Sequence, residues 1–151
     1  MKTRKTSESK NPQTRKLVFV DIENYAGEPM LSQEVVGKAR ESLTGLIGIT
    51  ANDLVVVATS HTANFVNAQL AWRGPRHVGK WGHDGADLAL IETMGQYDLG
   101  SFSEIYVVTG DGIFADAVDE IASAGHIVTV VSRVAALSRK LEKAAPKVLA
   151  A

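Results

Sequence analysis

The chain has 151 residues, 45% of them hydrophobic, with no cysteine and a formal net charge of −1. That length supports one ordinary domain with a real core rather than two, and the lack of cysteine excludes disulfides, thiolate metal sites and a cysteine nucleophile. No apolar run approaches the roughly 20 residues of a membrane helix, and the charged N-terminus lacks the apolar core of a secretion signal, so the expectation is a cytoplasmic protein with no membrane contact.

The first segment, residues 1–16 (MKTRKTSESKNPQTRK), sets six basic residues against Glu8, a balance of +5 that leaves −6 for the remainder. It has too few apolar side chains to offset the entropy of ordering, so it reads as a flexible basic arm, either a solvated leader or a tether for polyanions. The domain proper is then 17–151. A first strand is predicted over Lys16 to Asp21, a run of apolar residues ending in a polar cluster, Asp21, Glu23 and Asn24. In an extended continuation Glu23 points away from its neighbours, which gives it a surface or supporting role. Helical patterning over Ser32 to Leu46 leads to a second strand, Asp53 to Thr59, then a helix over Thr62 to Trp72 and a weak strand over Arg76 to Gly79. A helix over Asp84 to Gln96 follows, with Asp84 a ready N-cap. A strand over Glu104 to Thr109, a helix over Gly112 to Ala124 stopped by Gly125, and a strand over His126 to Val131 complete the alternation. Helical patterning over Val134 to Lys143 ends the chain. Leu141, Val148 and Leu149 lie among Lys140, Lys143 and Lys147 there, and either pack at home or pair with another subunit as a homo-oligomer; Pro146 limits the helix.

Strands that read as continuous apolar runs are covered on both faces, and their interleaving with helices gives a three-layer α/β/α, Rossmann-like domain with a five-stranded parallel sheet, order 3-2-1-4-5. In such sheets sites form beyond the carboxyl ends of the strands, where the order reverses. Asp21 closes the first strand and Asp111 follows the fourth, so both converge on one crevice. Asp87 precedes Ile91 and Met94 by four and seven positions and so stands at the start of that helix's inward stripe. Several clustered carboxylates, one of them inward, call for a hard divalent cation. The competing structural roles are a turn made by Asp21 and Asn24 and a helix cap at Asp111.

The segment Ala71 to His83 (AWRGPRHVGKWGH) places Arg73, Arg76, His77, Lys80 and His83 among Trp72 and Trp81. Cations grip phosphates and aromatic faces stack bases, so Arg73, Arg76, Lys80 and Trp81 form a candidate nucleic-acid-binding set, while Trp72 reads as a core residue ending a helix. Without cysteine or a tight ligand pattern, its histidines do not form a zinc site.

DIEN, then DGAD opening a helix, then VVTGDGIF, a helix, Gly125 and IVTVV resembles, from about Leu17 to Ser132, the NYN branch of the PIN-like metal-dependent ribonucleases. The resemblance implies a PIN-like fold, Mg²⁺ or Mn²⁺ as cofactor and cleavage of RNA phosphodiesters, with Asp21, Asn24, Asp87 and Asp111 as the acidic site. The chain departs from the family at Ile113, where a second aspartate often follows the Gly-Asp pair; Asp116, one helical turn on, is the residue expected to supply the missing oxygen. Two alternatives stand beside this reading. One is a catalytically degenerate PIN-like module that binds RNA or protein. The other rests on GDGIFAD, which also resembles the acidic loop of haloacid-dehalogenase-like phosphatases, although Glu23 stands where those enzymes have an aspartate and the expected threonine is missing.

Overall fold

A computed structural model describes residues 14–151. Most of the basic arm lies outside the described residues. Arg15 and Lys16, counted with it above, belong to the folded unit: Arg15 Nε donates to the Asn52 carbonyl at 2.9 Å and its guanidinium lies over the Phe102 ring, while Lys16 pairs with Asp53 at 3.6 Å.

The elements are β1 (Lys16–Asp21), α1 (Ile22–Ala26), α2 (Gln33–Leu43, closed by a π turn, Thr44–Gly48), β2 (Leu54–Thr59), α3 (Thr62–Ala71), β3 (Arg76–Gly79), α4 (Gly85–Met94), β4 (Glu104–Val108), α5 (Ala115–Ser123, entered through a 3-10 turn, Gly112–Phe114), β5 (Val128–Ser132), α6 (Arg139–Ala144) and β6 (Lys147–Ala150). All strand pairings are parallel, and the sheet order is β3-β2-β1-β4-β5-β6. The three-layer α/β/α class and the 3-2-1-4-5 core are as expected.

The sheet has six strands rather than five. The C-terminal helix is only Arg139–Ala144, capped by Ser138, and Lys147 to Ala150 pair with Thr129 to Ser132. Pro146 stops helix propagation, and the open edge of β5 supplies backbone partners that no local propensity reveals. Leu141 is buried in the core on one face of the sheet, and the new strand packs Val148 against that core and Leu149 against the core on the other face. No helix among the described residues is long and apolar enough to cross a membrane.

The alternation of side chains along β1 builds two cores at once. Leu17 and Phe19 join Ala86, Leu90, Phe114, Val118 and Leu141 on one face; Val18 and Val20 join Val36, Leu43, Ala68 and Trp72 on the other. Trp72 is therefore a core residue, as expected. Covered on both faces from Leu17 to Val20, β1 carries no polar side chain after Lys16 until its last residue, Asp21, emerges at the carboxyl edge between β2 and β4, where the strand order reverses.

Candidate metal centre

The polar cluster after β1 is a helix start rather than an extended turn. Asp21 Oδ1 accepts from the Asn24 N–H at 3.4 Å, capping the short α1, and Oδ2 accepts from the Thr109 hydroxyl at 3.1 Å at the end of β4. The helix ends at Gly27 with φ +75°, a left-handed backbone that favours glycine. Because the chain turns helical at Ile22, Glu23 does not point away. Its carboxylate lines the cleft and accepts from the Ser60 N–H (2.9 Å), the Ser60 hydroxyl (2.7 Å) and Asn64 Nδ2 (2.7 Å), tying α1 to the start of α3.

Asn24 is the knot of the carboxyl edge. Its Oδ1 accepts from the Gly110 N–H at 2.8 Å and its carbonyl from the Arg133 guanidinium. Its side-chain amide nitrogen has no hydrogen-bond partner among the described residues, which leaves a free donor on a residue that lines the cleft.

Asp87 and Asp111 meet where α4 and the turn after β4 converge. Asp111 caps its own turn, Oδ1 accepting from the Ile113 N–H at 3.0 Å, so the capping and site roles coexist. Asp84 completes the group: carboxylate oxygens of Asp84, Asp87 and Asp111 all lie within 4.8 Å of one another. Asp21 adjoins through Asp87. Asp87 is 6% exposed, and no lysine, arginine or histidine among the described residues pairs with it. Burial first, and then the neighbouring carboxyls of Asp21 and Asp111, push its pKa up to about 9. Burial likewise raises Asp21, against the lowering effect of hydrogen bonds from Asp87, Asn24 and Thr109.

Asp84 was expected to cap α4. Its side chain makes no cap hydrogen bond, and its φ of 59° is the only positive value at a non-glycine among the described residues. A left-handed aspartate at the head of a helix costs about 1 kcal/mol or more, and here it turns the carboxylate toward Asp87 and Asp111. Asp116 does not supply an oxygen: the inward positions of α5 are Ala115 and Val118, leaving Asp116 on the exposed side with Asp119 and Glu120, outside the cleft. The carboxylate that joins Asp87 and Asp111 comes instead from Asp84, in the β3 to α4 loop.

That loop is held by a close approach. A Cβ on Gly85 would stand 1.7 Å from the Lys80 carbonyl oxygen, a backbone atom that cannot swing aside. Gly85→Ala is expected to cost about 1–3 kcal/mol and to displace Asp84 and Asp87 together; urea denaturation, with and without Mn²⁺, checks it, and wild-type stability would remove this constraint.

The cleft so built is open, about 350 Å³, and is also lined by Glu28, Pro29, Ser60 and Arg133. The candidate RNA-binding residues divide between the two ends of the sheet. Arg76 opens β3 opposite Val56, and its guanidinium binds Gln96 Oε1 (2.9 Å) and the Tyr97 hydroxyl (3.1 Å); Arg73 precedes it, beside Thr50 and Asp53. A parallel strand carries residues before its start to the amino edge, away from the cleft. Lys80 and Trp81 follow β3 and so lie at the carboxyl edge. Lys80 pairs with Glu92 at 3.5 Å, and Trp81, 57% exposed, rests edge-on against Phe65.

Sequence reasoning missed Asp84, Glu23 and Arg133 as cleft residues. The usable signal for Arg133 was its position directly after the last predicted strand, on the edge where parallel sheets bind. For Asp84 there was none, because its role depends on a left-handed backbone.

No protein-family model and no curated protein matches this chain. Among solved structures it is similar to a protein of unknown function from Vibrio parahaemolyticus, at 16% sequence identity over 91% of this chain and 92% of that one, with a TM-score of 0.60. The likeness extends over nearly the whole of both chains and shows the fold.

Proposed function

We propose that this cleft binds Mg²⁺ or Mn²⁺ and that the chain is a metal-dependent endoribonuclease of the cytoplasm. The observation that carries the reading is Asp87, a residue only 6% exposed whose carboxyl stands against those of Asp21 and Asp111 with no cationic side chain among the described residues to neutralise it. Such a group is stable only with a proton or a cation, and the surrounding donors are all hard oxygens, the set Mg²⁺ and Mn²⁺ prefer. The order of DIEN, DGAD and GDGIF along the chain, with its resemblance to NYN ribonucleases, supports RNA as substrate.

A cation there would supply charge neutralisation at the phosphate and a more acidic water. The chain's own residues do the rest. Asp84, Asp87 and Asp111, with Asp21 beside them, hold the charge in place; Thr109 fixes Asp21; and the free amide N–H groups of Asn24 orient a water or a phosphate oxygen. Hydrolysis adds one water across a P–O bond: the oxygen of water joins phosphorus, the bond to the leaving ribose oxygen breaks, and a proton ends on that oxygen. Lys80 and Trp81, on the same edge, offer a cation and a stacking face to the flanking nucleotides.

A binding module without turnover is the second reading, favoured by Ile113 where the family often carries an aspartate. The deciding experiment incubates purified protein with single-stranded and hairpin RNAs in Mn²⁺, Mg²⁺ or EDTA, with a small phosphate ester in parallel. The nuclease reading expects metal-dependent cleavage of RNA alone, and a metal-induced rise in melting temperature larger for wild type than for Asp111→Asn. RNA binding without cleavage leaves the module, ester turnover a phosphatase, and equal melting shifts in both proteins would remove Asp111 from the metal site.

A further inference from the structure

Arg133 is the only cation among the described residues that line the acidic cleft. It stands directly after β5, half-buried, and makes no ion pair with any of the carboxylates around it. Instead Nε and Nη2 both donate to the backbone carbonyl of Asn24, at 3.2 and 3.0 Å. Both Nη1 hydrogens have no partner among the described residues. Gly27 gives the guanidinium its space: a Cβ there would meet Cζ at 2.9 Å and Nη2 at 3.0 Å.

This arrangement is unusual for an arginine whose only task is structural. A guanidinium in a cleft rich in carboxylates would gain most by a bidentate pair with one of them, yet this one is moored on a neutral oxygen. No carboxylate pairs with it, and its planar fork is fixed in orientation by the two bonds to Asn24, so little side-chain entropy remains to be lost when an anion arrives. A phosphodiester needs such a group, because an acidic cleft repels it at every point that a bound cation does not cover.

We propose that Arg133 is the phosphate-binding residue of this cleft, holding nonbridging oxygens of the RNA backbone beside the acidic cluster. The assignment rests on the nuclease reading and adds to it the group that seats the substrate. Asn24 then acts from two sides: its carbonyl positions the arginine and its amide faces the same phosphate. Lysine could supply the charge but not the fork.

The test compares wild type, Arg133→Gln and Arg133→Lys. Glutamine retains an N–H₂ donor for Asn24 while removing the charge. Affinity for a labelled single-stranded RNA is measured by anisotropy in Ca²⁺ over a series of salt concentrations, cleavage kinetics in Mn²⁺, and binding of Mn²⁺ alone by the shift in melting temperature. Arg133→Gln is expected to weaken RNA binding about tenfold, with KM raised by a similar factor and kcat changed less. The slope of log affinity against log salt should flatten by about 0.7, one phosphate contact on a single strand. Its Mn²⁺ shift should be at least that of wild type, and Arg133→Lys should recover part of the affinity. Wild-type affinity and KM in Arg133→Gln would overturn the assignment while leaving the nuclease intact. Loss of the Mn²⁺ shift in both variants would make Arg133 a strut of the cleft and overturn it as well. Should the glutamine variant fail to fold, the lysine variant decides: a weakened affinity with an intact Mn²⁺ shift supports the role, and wild-type affinity overturns it. A wild type that neither binds nor cleaves RNA brings down the nuclease reading and this assignment together.

Discussion

Asp87→Asn is expected to abolish metal-dependent cleavage while making the metal-free protein more stable at neutral and alkaline pH. The two effects have one cause. Asp87 is buried against the carboxyls of Asp21 and Asp111, and its ionised form is opposed by desolvation and then by those neighbours. Asparagine keeps the shape and removes the charge, so the metal-free protein loses an unfavourable term and its melting temperature should rise by a few degrees. The same charge is what a cation would bind. Removing groups that merely orient metal ligands lowers affinity or activity by about 10–100-fold, and removing a buried ligand itself should cost more. Melting with and without Mn²⁺, and cleavage on the same preparations, check both halves. A mutant that melts lower than wild type in EDTA, or cleaves RNA in Mn²⁺, would end the assignment of Asp87.

In EDTA, wild-type stability is expected to fall as the pH rises from about 7 to about 9. A carboxyl whose folded-state pKa is pushed up to about 9 from an ordinary 3.8 holds its proton in the native state where the unfolded chain has released it. The native state then binds more protons than the unfolded one, and stability declines with pH at up to about 1.4 kcal/mol per unit, levelling off above the folded-state value. Asp21 is shifted in the same direction. Two other shifted groups lie outside this window. Burial lowers His77, so its contribution is lost only as the pH falls below its ordinary 6.5; Tyr106, raised by burial and by Glu104, matters only above its ordinary 10. Urea midpoints across the series should therefore drop between neutral and alkaline pH in wild type and stay flatter in Asp87→Asn. A wild-type profile that rises over that interval would contradict the buried cluster of carboxyls.

Much of this molecule was legible in its residues. Continuous apolar runs such as LVFV and LVVV mark strands covered on both faces, and their alternation with helical stripes dictates parallel crossovers, because no short turn joins parallel neighbours. From that order alone Asp21 and Asp111 fall on one edge, and the spacing of Asp87 from Ile91 and Met94 puts it at the inward start of its helix. These are consequences of local periodicity, which a linear sequence carries in full.

Other features came only with the third dimension. Lys147 to Ala150 becomes a strand because β5 offers an open edge beyond Pro146. Asp116 turns outward because the neighbouring Ala115 and Val118 are drawn into the core. Arg76 is held at the far end of the sheet although it is close to the acidic site in sequence. Asp84 joins the carboxylate cluster through a left-handed backbone that the packing of Gly85 on the Lys80 carbonyl helps to hold, and Arg133 reaches the cleft from more than a hundred residues after Asn24. The sequence by itself determined which segments are buried and which edge bears the acids; which carboxylates converge, and which cation stands among them, was decided by contacts between segments remote in the chain, whose geometry depends on how the layers pack and not on any local pattern.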